Sequence, residues 1–267
     1  MADAFFERDG EEFVPTELTR GPWDPGAQHA GPPAALLGRA IERIGAEDED
    51  PESPPTRIGR LTYEILRSVP IAPLTVSTRV LRPGRCVELV EARLSDRDGE
   101  VIRATSWRLR PKGVELPAGL GGEKPPPGPE VGSEGDFFPT GHDVGYHTAM
   151  EYRFVAGAFL DPGPATVWMR MRRPLIAGEE PSALQRVLIA ADSGNGVSAT
   201  LDWRRFLFIN VDLTVQLHRL PEGEWVCLDA ITIPEPTGVG LADTALHDER
   251  GPIGRATQPL LVAERAG

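Results

Sequence analysis

Apolar residues recur at Leu184, Val187, Leu188 and Ala191, the i, i+3, i+4, i+7 spacing of a helix that buries one side. Pro181 suits its first turn, and Gly194 and Gly196 are expected to stop it. A second helix is expected from Pro32 to Ile44, with Leu37, Ala40, Ile41 and Ile44 buried and Gly45 at its end. Strand-like runs fall into two sets. The first is Ile58 to Val69, Leu74 to Leu81, Cys86 to Leu94 and Glu100 to Leu109, the last two joined by a hairpin at Asp98-Gly99. The second is Tyr152 to Phe159, Thr166 to Arg172, Phe206 to His218, Glu224 to Ile233, Gly238 to Leu246 and Ile253 to Val262. In the longest run, Leu207, Ile209, Val211, Leu213, Val215 and Leu217 alternate with Asn210, Asp212, Thr214, Gln216 and His218, which predicts one apolar and one polar face.

Between the two sets, residues 111–148 are rich in Pro and Gly and lack periodicity. They read as a linker crossing the surface between a first unit, 1–110, and a second, 149–267. The units match. Residues recur at a constant offset of 152, among them Thr62 and Thr214, Arg67 and Arg219, Asp96 and Asp248, and Gly99 and Gly251. A repeat spread over several strands means two copies of one α+β unit, a helix laid on a curved antiparallel sheet.

Asp192 closes the helix of the second copy, four residues after Leu188 and so toward the buried side. The partial negative charge of a helix C-terminus and burial both disfavour an ionised acid there, which suits a general base. Its other reading is that it opens the turn Asp-Ser-Gly-Asn-Gly. At the same offset, Asp192 stands where the first copy has Ala40, and Gln258 where it has Ser106. The copies agree where the fold needs support and differ where an acid and an amide enter.

Several stretches carry a resemblance. They are Asn210 to Arg219, Glu224-Trp225, Asp248 to Gly251, Arg255 to Gln258, Ala191-Asp192 with Asn195, and His29-Ala-Gly31 before a small-residue helix. In type and order they resemble the acyl-CoA thioesterase II family, whose fold is a double hotdog. The resemblance implies hydrolysis of an acyl-CoA by a directly attacking water, with no covalent intermediate and no cofactor. The water-holding positions correspond to Asp192, Asn210 and Gln258; Asn210 departs from the family's usual Thr. Gly31, at a helix start, is the candidate oxyanion donor, and His29 is a candidate for the same pocket. For the CoA phosphates the candidates are Arg170, Arg172, Arg173, Arg204 and Arg205. Trp168 and Trp225 read as core.

Composition excludes other classes. A formal charge of −12 argues against nucleic acid as partner. Two isolated cysteines, Cys86 and Cys227, read as buried free thiols of a reducing compartment. No apolar run is long enough to span a bilayer and the N-terminus lacks a signal-peptide core, so a cytoplasmic protein is expected. Five scattered histidines give no metal spacing, and no G-x-S-x-G, HExxH or P-loop occurs. Two alternatives are a non-catalytic acyl-CoA-binding module and an enoyl-CoA hydratase. The latter is expected to need a histidine beside the acid, and none lies near Asp192 in sequence. Homo-oligomerisation is left open.

Overall fold

The computed structural model describes residues 2–45, 55–117 and 124–265. A hairpin of β1 (Phe6–Asp9) and β2 (Glu12–Pro15) precedes α1 (Gly31–Arg43). Then come β3 (Arg57–Ile65), β4 (Thr75–Arg82), β5 (Val87–Asp96) and β6 (Gly99–Leu109). The second half holds α2 (Tyr146–Ala149), β7 (Met150–Ala158), β8 (Asp161–Met171), α3 (Ala183–Ala191) and α4 (Gly194–Val197). It ends with β9 (Phe206–Asn210), β10 (Asp212–Leu217), β11 (Val226–Pro234), β12 (Val239–Asp248) and β13 (Gly251–Glu264).

Apart from the hairpin, all these strands join one 11-stranded antiparallel sheet in the order β4-β5-β6-β3-β10-β13-β12-β11-β8-β7, with β9 alongside β13. The halves meet at β3 and β10, where Thr62 pairs with Thr214, its own counterpart in the repeat. Other features recur at the same offset. Arg67 binds Asp96 and the Gly99 carbonyl, and Arg219 binds Asp248 and the Gly251 carbonyl. Both hairpin glycines have positive φ, 120° and 128°, which a side chain would oppose.

Helices α1 and α3 run antiparallel and pack on each other, α1 also against β3–β5 and α3 against β8 and β11. They cross at Gly38, where a Cβ would come within 2.1 Å of Leu188 Cδ1. Sandwiched in this way, α1 buries every residue from Gly31 to Arg39, a wider face than a single stripe. Gly45, at φ +65°, follows its end. The buried Arg39 is neutralised by a bidentate pair with Glu179, at 2.8 and 2.6 Å.

Four expectations need correction. Pro181 precedes α3 and does not sit in its first turn; Ser182 is the N-cap and accepts from the Gln185 N–H. Gly194 and Gly196 do not end the helical path, because both keep negative φ and α4 follows at once. Gly194 is needed for closeness, since a Cβ there would lie 2.4 Å from Thr244 Oγ1. The run Phe206 to His218 is two strands. Asn210 pairs with Leu260 but Thr214 with Thr257, so the register slips by one residue at a bulge around Val211. The face therefore turns: Leu213, Val215 and Leu217 are buried, whereas Ile209 and Val211 are about half exposed (48% and 52%). Finally, Cys86 is exposed just before β5, and only Cys227 is buried.

The Pro/Gly-rich stretch is not confined to the surface. Ser133 exchanges backbone hydrogen bonds with Phe154 of β7, Phe138 is buried, and Tyr146 begins α2 in the core.

Candidate active site

Asp192 is the C-cap of α3 and is buried, 8% exposed. A carboxylate in such a place must be hydrogen-bonded to be tolerated. Its Oδ1 accepts from Asn210 Nδ2 at 2.9 Å and from Gln258 Nε2 at 3.1 Å. The bulge at Val211 brings Asn210 here, and the pairing of β12 with β13 brings Gln258, opposite Ala242. Gln258 is fully used. Its Nε2 also reaches the Asp192 carbonyl at 3.2 Å, and its Oε1 accepts from the Asn195 N–H at 3.1 Å. The Asn195 amide in turn donates to the Phe208 carbonyl at 3.1 Å, which ties α4 to β9.

The other oxygen, Asp192 Oδ2, lies 3.1 Å from Nδ1 of His29. The histidine that sequence proximity could not supply thus comes from the loop before α1, delivered by the antiparallel packing of α1 on α3. Burial pushes the His29 pKa down, and the nearby Asp192 charge only partly opposes this, so the ring is neutral at pH 7. Nδ1 also lies 3.0 Å from the Gly31 N–H. A ring nitrogen carries either a proton or a lone pair, so it can donate to Asp192 or accept from Gly31, not both. The ring stacks on Tyr146 at 3.8 Å and 9°. The Tyr146 hydroxyl donates to the Ile189 carbonyl at 2.7 Å and lies 3.0 Å from Ser193 Oγ.

These groups close one end of a cavity of about 540 Å³, whose wall includes His29, Tyr146, Asp192, Ser193, Asn195 and Asn210. Gly31 and Gln258 do not line it; Gln258 sits behind the carboxylate and Gly31 behind the imidazole. Of the five residues singled out from sequence, His29, Asp192 and Asn210 therefore face the space a ligand would enter, and the other two support them. Sequence reasoning missed Tyr146, Ser193 and the aromatic walls, Trp23, Phe137 and Phe138 among them. The signal for the last two was a Phe-Phe pair inside a segment rich in Pro and Gly.

The arginines do not form one cluster. Arg170, Arg172 and Arg173 border a separate cavity of about 490 Å³ together with Glu179, Glu180 and Glu224. Arg170 is paired with Glu151 and Glu224, and Arg172 with Glu134. Arg204 and Arg205 lie over the rings of Trp203 and Phe206; Phe206 and Arg265 line the main cavity. Trp168 is fully buried, but Trp225 is only half-buried and carries Arg170 on its ring at 4.6 Å. Among the described residues no group of three or more His, Cys, Asp or Glu could hold a metal ion, and no helix is long and apolar enough to cross a membrane.

Solved structures share this fold over nearly the whole chain. A candidate thioesterase II from Thermobifida fusca superposes with a TM-score of 0.72 at 19% identity, covering 97% of this chain and 95% of that one. A hot dog fold protein of unknown function from Alicyclobacillus acidocaldarius gives 0.66 at 17% identity, covering 99% and 97%. An acyl-CoA thioesterase II, TesB2, from Mycobacterium marinum gives 0.63 at 13%, covering 98% and 95%. At such identities these show the hotdog fold and no more. No curated protein matches the sequence significantly. Residues 19–109 match the model of the acyl-CoA thioesterase N-terminal domain, and residues 123–262 that of the acyl-CoA thioesterase C-terminal domain. Both halves of the chain are thus accounted for, and the chain belongs to the acyl-CoA thioesterase family.

Proposed function

We propose that this protein is an acyl-CoA thioesterase of double-hotdog build, with copies at 1–110 and 149–267 joined by 111–148. It hydrolyses its substrate to a free acid and CoA by direct attack of water. The observation that carries this reading is the buried Asp192, held by two amide N–H groups on one oxygen and open to the cavity. A neutral water is a poor nucleophile, so the reaction needs a base at the cavity wall. Water held by Asp192 Oδ2 and the Asn210 amide oxygen attacks the thioester carbonyl carbon and gives its proton to Asp192. The tetrahedral intermediate then expels the thiolate, which takes the proton from Asp192 and restores the carboxylate. Gln258 positions the carboxylate without touching the water. When His29 Nδ1–H donates to Oδ2, it fixes the second oxygen and leaves the Gly31 N–H free of the ring. The rate should fall about 10²–10⁴-fold in Asp192→Ala, the range for a lost general base. Thiol release from a panel of acyl-CoAs measures it, and a variant within a few-fold of wild type overturns the proposal.

One observation favours a second reading. A histidine within 3.1 Å of the acid is the pairing expected of an enoyl-CoA hydratase. Loss of enoyl absorbance on adding protein, without thiol release, would select it.

A further inference from the structure

Much of the cavity wall is built from rings. Phe138 stacks on Trp23 at 4.8 Å and 8°, and Phe208 meets Trp23 edge-on at 5.9 Å and 85°. Phe137 lies against Phe138 at 4.1 Å, and Phe159 presents its edge to Phe137 at 4.5 Å and to Tyr152 at 5.0 Å. All six line the cavity of about 540 Å³. They come from four separate stretches: the loop before α1, the Pro/Gly-rich segment, β7 with its following turn, and β9. Each ring has few torsions and is braced by another, so the walls are flat and fixed. A flexible alkyl chain gains only contact area from such walls. A planar ring gains offset-stacked and edge-to-face contacts as well, about 0.5–1.5 kcal/mol per ring pair. The space suffices, since a cavity of about 150 Å³ already accepts benzene. That leaves room here for a short spacer and the thioester.

A polar group sits in this box. Tyr152 is 8% exposed and lines the cavity; its hydroxyl makes no hydrogen bond among the described residues and lies within electrostatic reach of Tyr146 and Arg172. A hydroxyl open to the cavity can both donate and accept, and a ligand hydroxyl can supply the partner.

We propose that the acyl group is an arylalkanoyl, a ring on a short spacer, and that Tyr152 reads a hydroxyl on that ring. This rests on the thioesterase reading for its chemistry but not for its binding preference. The test compares acyl groups of equal carbon number: 3-phenylpropanoyl-CoA against nonanoyl-CoA, with 3-(4-hydroxyphenyl)propanoyl-CoA as third member. The expected kcat/KM is about 10-fold higher for the phenyl than for the nonanoyl ester, the worth of one to two ring pairs. The ring hydroxyl should add about 3–10-fold in wild type and nothing in Tyr152→Phe. Phe137→Leu and Phe138→Leu should each reduce the ratio of phenyl to nonanoyl. A nonanoyl rate equal to or above the phenyl rate overturns the ring proposal. A hydroxyl gain that persists in Tyr152→Phe, or never occurs, overturns the role of Tyr152. If no ester releases thiol, hydrolysis fails as a function. Calorimetry with the non-hydrolysable thioether analogues of the same three acyl groups then decides the ring preference by itself.

Discussion

The hydroxyl of Thr214 donates to the hydroxyl of Thr62 at 3.2 Å, and each residue is the other's counterpart in the repeat. An approximate two-fold axis therefore passes between them, and every matched pair of interactions can be compared across it. Around that axis the chain is conservative: the Arg67–Asp96 and Arg219–Asp248 locks are alike in partners. Away from it, at Asp192 and Gln258, the halves diverge.

The second lock should matter more than the first. Burial raises the Asp248 pKa, but the Arg219 guanidinium and the backbone N–H groups of Glu222 and Arg250 outweigh it and hold the acid at about 2. Removing the guanidinium leaves a fully buried carboxylate with its main partner gone. Arg219→Ala should cost about 2–3 kcal/mol in urea unfolding. Because the folded pKa is depressed, the stabilisation is present above the unfolded value near 3.8 and is lost as pH falls through about 2. Arg67→Ala, at the more exposed lock, should cost less.

Asn210 is expected to act through the orientation of Asp192 and through the water. Asn210→Ala removes the N–H at 2.9 Å from Oδ1 and should lower kcat about 10²-fold with little change in KM. Asn210→Thr restores a group that both donates and accepts, and should recover most of the loss. Steady-state kinetics on one good acyl-CoA separate the two parameters.

Gly31 permits the close approach that joins the two helices at the site. A Cβ there would lie 2.4 Å from the Ile189 carbonyl oxygen, which is backbone and cannot swing aside. Gly31→Ala should cost about 1–3 kcal/mol, the range for overpacking. It should also lower turnover, since it forces His29 away from Asp192. Gly113→Ala, where nothing lies within 4 Å, is the control in thermal melts and in the thiol-release assay.

Acidification should unload the site through His29. Its folded pKa lies below 6.5, so on lowering pH the unfolded chain takes up the proton first. The contribution to stability is complete above 6.5 and is lost as pH falls through the folded value. His142 and His147 shift in the same direction, His142 through burial and the nearby Arg20, His147 through burial and His142. Urea unfolding between pH 5 and 7.5 should therefore show a shallower pH dependence in His29→Asn than in wild type. A His142→Asn/His147→Asn variant gives the remainder.

The antiparallel sheet, α1 and α3 were legible in the sequence because each rests on a local period or on the offset of 152. Asp192 was legible for the same reason, since its place at a helix end is a local fact. The pairing of His29 with Asp192 was not, because it depends on how α1 crosses α3 at Gly38, which no spacing along the chain encodes. Tyr146, Phe137 and Phe138 were hidden in a segment whose glycines and prolines announce turns but not where those turns lead. The bulge at Val211 escaped too: strict alternation is what unbroken strand would show, and the extra residue becomes visible only against β13.

Since β3 bonds to β10 through residues that correspond to each other, a fragment ending before α2 would present a strand edge already suited to a second copy of itself. Thr62 would then face Thr62. The lone N-terminal piece would tend to self-associate in the geometry the intact chain achieves internally, but with Ser106 on both sides where an amide is needed. Such an assembly would copy the scaffold and lack the acid that gives it a use.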